Sequence, residues 1–173
     1  PRGLDNSVSV LRRIAERGRD GFYTGPVADA IVRLSREEGG TTALDDLREL
    51  QAEWVTPIST TYRGWTVHEL PAPTQGIAAL MMLNLMERFP LAQWGFHSAK
   101  ALHAMIEAKK LAYADMLRYT ADPRFTTVPT AAMLDKARAA ERAKAIDMSR
   151  AACEVAPAQY ASVSGLTGSE TIY

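Results

Sequence analysis

Between Gly76 and Glu87 the chain offers a helix that is apolar almost all the way round, with Ile77, Leu80, Met81, Leu83, Asn84 and Leu85 spread over its faces. Such a helix cannot lie on a surface and must be enclosed by other elements. The rest of the chain therefore has to supply its cover. Pro71-Ala72-Pro73-Thr74-Gln75-Gly76 leads into it. Both of these prolines fix φ and lack an N–H, so the stretch is irregular. Phe89-Pro90 ends the helix.

The clearest β signal lies just upstream. Trp54 to Tyr62 is rich in aromatic and β-branched residues, Arg63-Gly64 makes a turn, and Trp65 to Leu70 alternates apolar and polar. This predicts a hairpin over about 56–70, its first strand demoted to an edge near Pro57. Trp65 and Val67 are expected to face a core and His68 the solvent. Earlier still, Val10, Leu11 and Ile14 at helical spacing predict a helix over Ser7 to Arg17, stopped by Gly18 and Gly21. A second helix starts at Pro26 after the turn Phe22 to Gly25 and ends at Gly39-Gly40. Thr42, three residues before Asp45, is a capping-box-like start for a short helix through Leu50. Asp45 and Asp46 fall in its first turn, where the helix dipole favours them, and read as caps rather than a catalytic pair.

Downstream, Ser98 caps the longest helix, Ala99 to about Tyr119. Its apolar stripe reads Leu102, Met105, Ile106, Ala108, Leu111, Ala112 and Met116 or Leu117. His103, Glu107 and Asp115 fall near one face. They could hold a metal, but a polar face salt-bridged to Lys109 and Lys110 is the expectation, and no metal site is assigned. Asp122-Pro123 makes a turn, and Pro129 opens a helix that runs on into the Ala/Arg/Lys-rich stretch Ala137 to Arg150, expected to ride the surface. From Ala156-Pro157 the composition turns small and polar, as in a linker. The division is thus a helical segment with a hairpin over 1–155 and a tail over 156–173.

Composition excludes several function classes. Lys+Arg and Asp+Glu are both 20, so no basic field points to nucleic acid and no acidic block to a solvating tail. No apolar run is long enough to span a bilayer, so no membrane partner is expected. The single cysteine, Cys153, rules out an intrachain disulfide and a cysteine-based zinc cluster, and reads as a small core residue. There is no glycine-rich phosphate loop and no dinucleotide fingerprint, so no cofactor is expected. The start, Pro-Arg-Gly without a Met or a signal peptide, suggests a piece of a longer protein.

An ordered set of short motifs carries a family resemblance. Gly21-Phe22-Tyr23-Thr24-Gly25, Gly39-Gly40, Asp46-Leu47, Pro57-Ile58 and Tyr62-Arg63-Gly64 come first. The proline-rich turn 71–76, Glu107-Ala108-x-x-x-Ala112-Tyr113-Ala114-Asp115, Asp122-Pro123-x-Phe125 and Val128-Pro129 follow. In this order and spacing, from about Leu11 to Tyr173, the chain resembles gamma-glutamyltransferases. It departs from their usual pattern at Ala72, Thr74, Gln75 and Ile77 in the turn. Met116 stands where an Arg is usual, and Thr171-Ile172-Tyr173 replaces Thr-Thr-His-Tyr. The resemblance implies an α+β fold, mainly helical with one β-hairpin, which is the C-terminal part of the large subunit of an αββα N-terminal-nucleophile hydrolase.

The resemblance also implies a role for the tail. In that family the threonine at the place of Thr171 becomes the new N-terminus after self-cleavage, here of the Glu170–Thr171 bond, and is the nucleophile. The implied partners are the small-subunit half of the precursor and a gamma-glutamyl or related acyl donor. The substrate-binding arginine and the oxyanion-hole groups match no position here, so the 173 residues alone are expected to be inactive. Because the hairpin and the helix after Gly76 would lack their cover, the isolated chain is expected to self-associate. Taken without the resemblance, the residues also fit a non-catalytic helical scaffold that exposes the Trp54/Trp65 hairpin to a partner.

Overall fold

Helix α1, Arg2–Arg17, opens the chain in the computed structural model, which describes residues 2–160. Three more helices follow in the first of two units, Pro1–Trp54: α2 Asp20–Tyr23, α3 Pro26–Glu37 and α4 Leu44–Glu49. Gly18 closes α1, its N–H donating to the Ile14 carbonyl at 2.7 Å. Gly21 does not stop a helix but lies inside α2, buried against α1. A Cβ there would stand 2.2 Å from the Arg13 carbonyl oxygen, so only glycine allows the approach. Pro26 takes the first position of α3 as expected. The start of α4 falls one residue later than the sequence suggested: the Ala43 N–H donates to Asp46 Oδ2 at 2.8 Å. Arg19 reaches across this unit, and its guanidinium donates to the Leu47, Arg48 and Leu50 carbonyls that α4 leaves free at its end.

The second unit, Val55–Tyr173, holds the hairpin and the remaining helices. Strands β1, Ile58–Tyr62, and β2, Trp65–Glu69, pair antiparallel with Thr60 opposite Val67 and Tyr62 opposite Trp65. Arg63 and Gly64 both have positive φ, 50° and 89°, the backbone that a two-residue type I′ loop requires. Five helices complete the unit: α5 Gly76–Met86, α6 Leu91–Trp94, α7 Ala99–Tyr119, α8 Thr130–Met133 and α9 Lys136–Ala143.

Helix α5 is enclosed as its composition demands. It packs on α7, α9 and the hairpin, and Ile77, Leu80 and Leu85 are all buried. Its one polar residue, Asn84, is buried too and joins three elements. Asn84 Oδ1 accepts from the Thr60 hydroxyl at 2.6 Å, and Nδ2 donates to the Leu134 carbonyl at 3.0 Å. Glu87, just past α5, takes the Arg63 N–H at 3.0 Å and the Lys136 ammonium, and these bonds hold its carboxyl below the usual range.

Four expectations fail here. Trp65 does not face a core; it is 75% exposed, and β2 buries only Val67 and Glu69 in part. The helix predicted through Arg150 is broken. Asp135 caps α9 by accepting from the Arg138 N–H at 2.7 Å, and α9 ends at Ala143. Beyond it Asp147 accepts from the Ser149 N–H and hydroxyl, a local turn that competes with helix. Nor does α9 merely ride the surface, because Ala139, Ala143 and the following Ile146 are buried. Finally, Cys153 is exposed rather than a core residue.

Candidate functional site

Thr171 and Glu170, the nucleophile and cleavage-site candidates, lie outside the described residues, as does everything beyond Tyr160. The structure gives the approach to them. After α9 and the turns at 144–150, the chain runs without regular structure from Ala151 to Tyr160 along α7.

Side chains of α7 hold this stretch. His103 Nε2 lies 2.8 Å from the Asp147 carbonyl. Glu107 accepts from the Ala152 N–H at 3.2 Å, and Lys110 donates to the Ala152 carbonyl at 2.8 Å and to Glu107 at 2.6 Å. Asp115 Oδ1 accepts from the Ala158 N–H at 2.7 Å and from Arg142 at 2.8 Å, while Oδ2 accepts from the Tyr160 hydroxyl at 2.9 Å. The Tyr119 hydroxyl donates to the Ala158 carbonyl at 2.8 Å, and the Tyr119 and Tyr160 rings meet edge to face.

This corrects the reading of α7. Glu107 and Asp115 are not on a solvated face; they are 3% and 0% exposed. His103, Glu107 and Asp115 do not converge either, since each serves a different stretch of the returning chain. Among the described residues no group of three His, Cys, Asp or Glu side chains is placed to hold a metal. Burial pushes the Glu107 carboxyl up, but the Lys110 and Ala152 bonds and the nearby His103 outweigh it and leave it below its usual value. The Tyr160 hydroxyl is pushed well above the phenol range, first by burial, then by the Asp115 charge and the bond to it.

A cavity of about 520 Å³ opens beside Asp115. Met81, Leu85 and Met133 give it an apolar floor, and Arg138, Arg142 and Tyr160 stand at its wall. Sequence reading missed Tyr119, Arg142 and Tyr160 as members of this site. Tyr160 carried a signal: it is the one aromatic residue between Ala156 and Ile172, in a run of small residues. No helix among the described residues is long and apolar enough to cross a membrane.

A family model described as gamma-glutamyltranspeptidase matches residues 5–173. The chain is similar to the glutathione hydrolase proenzyme of Escherichia coli strain K12, with 41% identity over 119 residues, 68% of this chain and 20% of that protein. It is similar as well to the acylase ACY 1 proenzyme of Pseudomonas sp. strain SE83, with 36% identity over 117 residues, 67% of this chain and 21% of that one. Among solved structures, the gamma-glutamyltranspeptidase of Helicobacter pylori matches with a TM-score of 0.72 at 30% identity, over 86% of this chain and 43% of that chain. The chain thus spans about a fifth of the length of these curated relatives.

Proposed function

This chain belongs to the gamma-glutamyltranspeptidase family, and from that premise we propose that it is the large-subunit stretch of a precursor that cleaves itself before Thr171. Its helices and single hairpin are part of an N-terminal-nucleophile hydrolase fold. The mature enzyme transfers or hydrolyses gamma-glutamyl or related acyl groups, and its other half is the small subunit that begins at Thr171. The observation that carries this reading is the extent of the family match, which runs from residue 5 through Thr171 to residue 173. The names of the relatives, a glutathione hydrolase proenzyme and an acylase proenzyme, support both the precursor and the breadth of acyl group.

The chemistry needs one hydroxyl used twice. In the precursor, Thr171 Oγ1 attacks the Glu170 carbonyl carbon, and the amide nitrogen leaves as the α-amine of Thr171, so the peptide becomes an ester. Water then hydrolyses that ester, giving the Glu170 carboxylate and a free Thr171. A threonine hydroxyl is a weak nucleophile without a base nearby. The freed α-amine, with a pKa near about 8, supplies that base. In turnover it takes the hydroxyl proton as Oγ1 attacks the donor carbonyl and returns it to the amine that leaves as the donor C–N bond breaks; water or an amine acceptor then attacks the resulting ester, which frees Oγ1 and releases the acyl group.

Thr171→Ala in the full-length precursor tests this. It is expected to leave one uncut chain and to lower acyl transfer by orders of magnitude. Thr171→Ser, which keeps the hydroxyl and loses only the methyl that restricts χ1, should retain part of both activities. A Thr171→Ala precursor that still splits into two chains would overturn the assignment.

A further inference from the structure

The stretch that leads towards Thr171 is gripped by α7 twice, and each grip takes both backbone groups of one residue. At Ala152 the N–H goes to Glu107 and the carbonyl to Lys110. At Ala158 the N–H goes to Asp115 and the carbonyl to Tyr119. Tyr160 adds its hydroxyl to Asp115, and Arg142, coming from α9, neutralises the carboxylate while donating to the Ala156 carbonyl as well. Apolar packing alone would cover this stretch and let it slide. Side-chain bonds to the N–H and the C=O of the same residue fix its register along the helix. A buried carboxylate is a costly device for mere cover.

We propose that Asp115 and Tyr119, with Tyr160, form a positioning clasp for self-cleavage: they fix where the chain leaves α7 and so where the Glu170–Thr171 bond is delivered. This rests on the reading of Thr171 as the nucleophile. Thr171 is eleven positions beyond Tyr160. Eleven residues reach at most about 40 Å, so the anchor bounds the place of the bond. Two effects of losing the clasp differ in size. Loosening alone, with the free segment lengthened back to the Ala152 grip, lowers the local concentration of the bond only about twofold. Loss of register displaces a reacting group, and a misplacement of about 1 Å can cost on the order of a hundredfold.

The test uses the full-length precursor, made by cell-free synthesis and sampled over time for splitting, with the new N-terminus read by mass spectrometry. Asp115→Ala and the double variant Tyr119→Phe/Tyr160→Phe should split about tenfold more slowly than wild type, or slower still. Asp115→Asn keeps Oδ1 for Arg142 and Ala158 and should recover most of the rate. The double Phe variant keeps both rings and changes no substrate group. It loses two hydroxyl bonds, so its melting temperature should fall by a few degrees, and its splitting rate is therefore taken per folded molecule. Splitting within twofold of wild type in both Asp115→Ala and the double variant overturns the proposal. So does slow splitting that only tracks the fraction unfolded. A wild-type N-terminus other than Thr171 defeats the nucleophile assignment and this proposal with it; a Thr171 start with unchanged variant rates defeats this proposal alone.

Discussion

Asp115 has no exposed surface, and three donors meet on its carboxylate: Arg142, the Ala158 N–H and the Tyr160 hydroxyl. Withdrawing a carboxylate from water costs several kcal/mol, which a counter-charge offsets only when the remaining lone pairs are also bonded. Tyr160 completes that set, and this makes its contribution depend on alkali. Its folded-state pKa is raised, so the stability it provides is fully present below the unfolded tyrosine value of about 10 and is lost as pH rises towards the higher folded value. Tyr160→Phe has no such proton to lose. The melting temperatures of the wild-type chain and Tyr160→Phe should therefore differ by a steady amount below about pH 9 and converge progressively as the pH rises past about 10. A difference that stays constant through that rise would mean that the hydroxyl bond to Asp115 contributes nothing that titrates. None of this was legible in the polarity pattern. A carboxylate reads as an outward residue, and what draws Asp115 inward is a set of donors 27 to 45 positions away.

Helix α7 shows why its boundaries were legible and its faces only in part. Ser98 caps it as expected, accepting from the Ala101 N–H at 3.2 Å, and the helix runs to Tyr119. Its buried side is built on Ala101, Ala104, Ala108 and Ala112 with Leu111, Met116 and Tyr119, while Leu102, Met105, Ile106 and Leu117 are exposed. Small residues let α5 approach closely, and α5 itself brings the bulk, Leu80, Met81 and Leu85. Ranking positions by hydrophobicity finds Ala108, Leu111, Ala112 and Met116, but it adds the exposed Leu102, Met105 and Ile106 and misses Ala101 and Ala104. Glycines obey a firmer rule. At Gly64 the space for a Cβ is open, and only the φ of 89° resists a side chain. Gly64→Ala should cost about 1 to 2 kcal/mol. At Gly21 a Cβ meets the Arg13 backbone at 2.2 Å, so α1 and α2 must move apart. Gly21→Ala should cost about 3 kcal/mol or more, the upper end for overpacking. Urea denaturation of the two variants would check the order; an equal or reversed loss would mean that α1 and α2 move apart at little cost.

At the scale of the whole molecule, the expected class holds: mainly helical, one hairpin, one helix enclosed on all sides. What differs is which surface is left uncovered. The sequence assigned that role to the hairpin and to the helix after Gly76. Helix α5 is instead covered by α7, α9 and the hairpin from its own unit. The hairpin does leave Trp65 exposed, as that role implies, and α7 adds the exposed apolar side chains Leu102, Met105, Ile106 and Leu117. Leu102, Met105 and Ile106 recur at helical spacing and Leu117 falls on the same side of the helix, so they form a stripe rather than scattered single residues. Stripes of this kind on a soluble chain mark a contact with another chain or another part of the same protein. Made by itself, the 173-residue chain should therefore pair with a second copy through this stripe. Sedimentation velocity should show a concentration-dependent dimer, and charges placed on the stripe, Ile106→Glu with Leu102→Lys, should return it to a monomer without loss of helix content. Both positions are exposed, so the change leaves the α5–α7 core intact. A wild-type chain that stays monomeric as its concentration is raised would show that the stripe alone does not drive association.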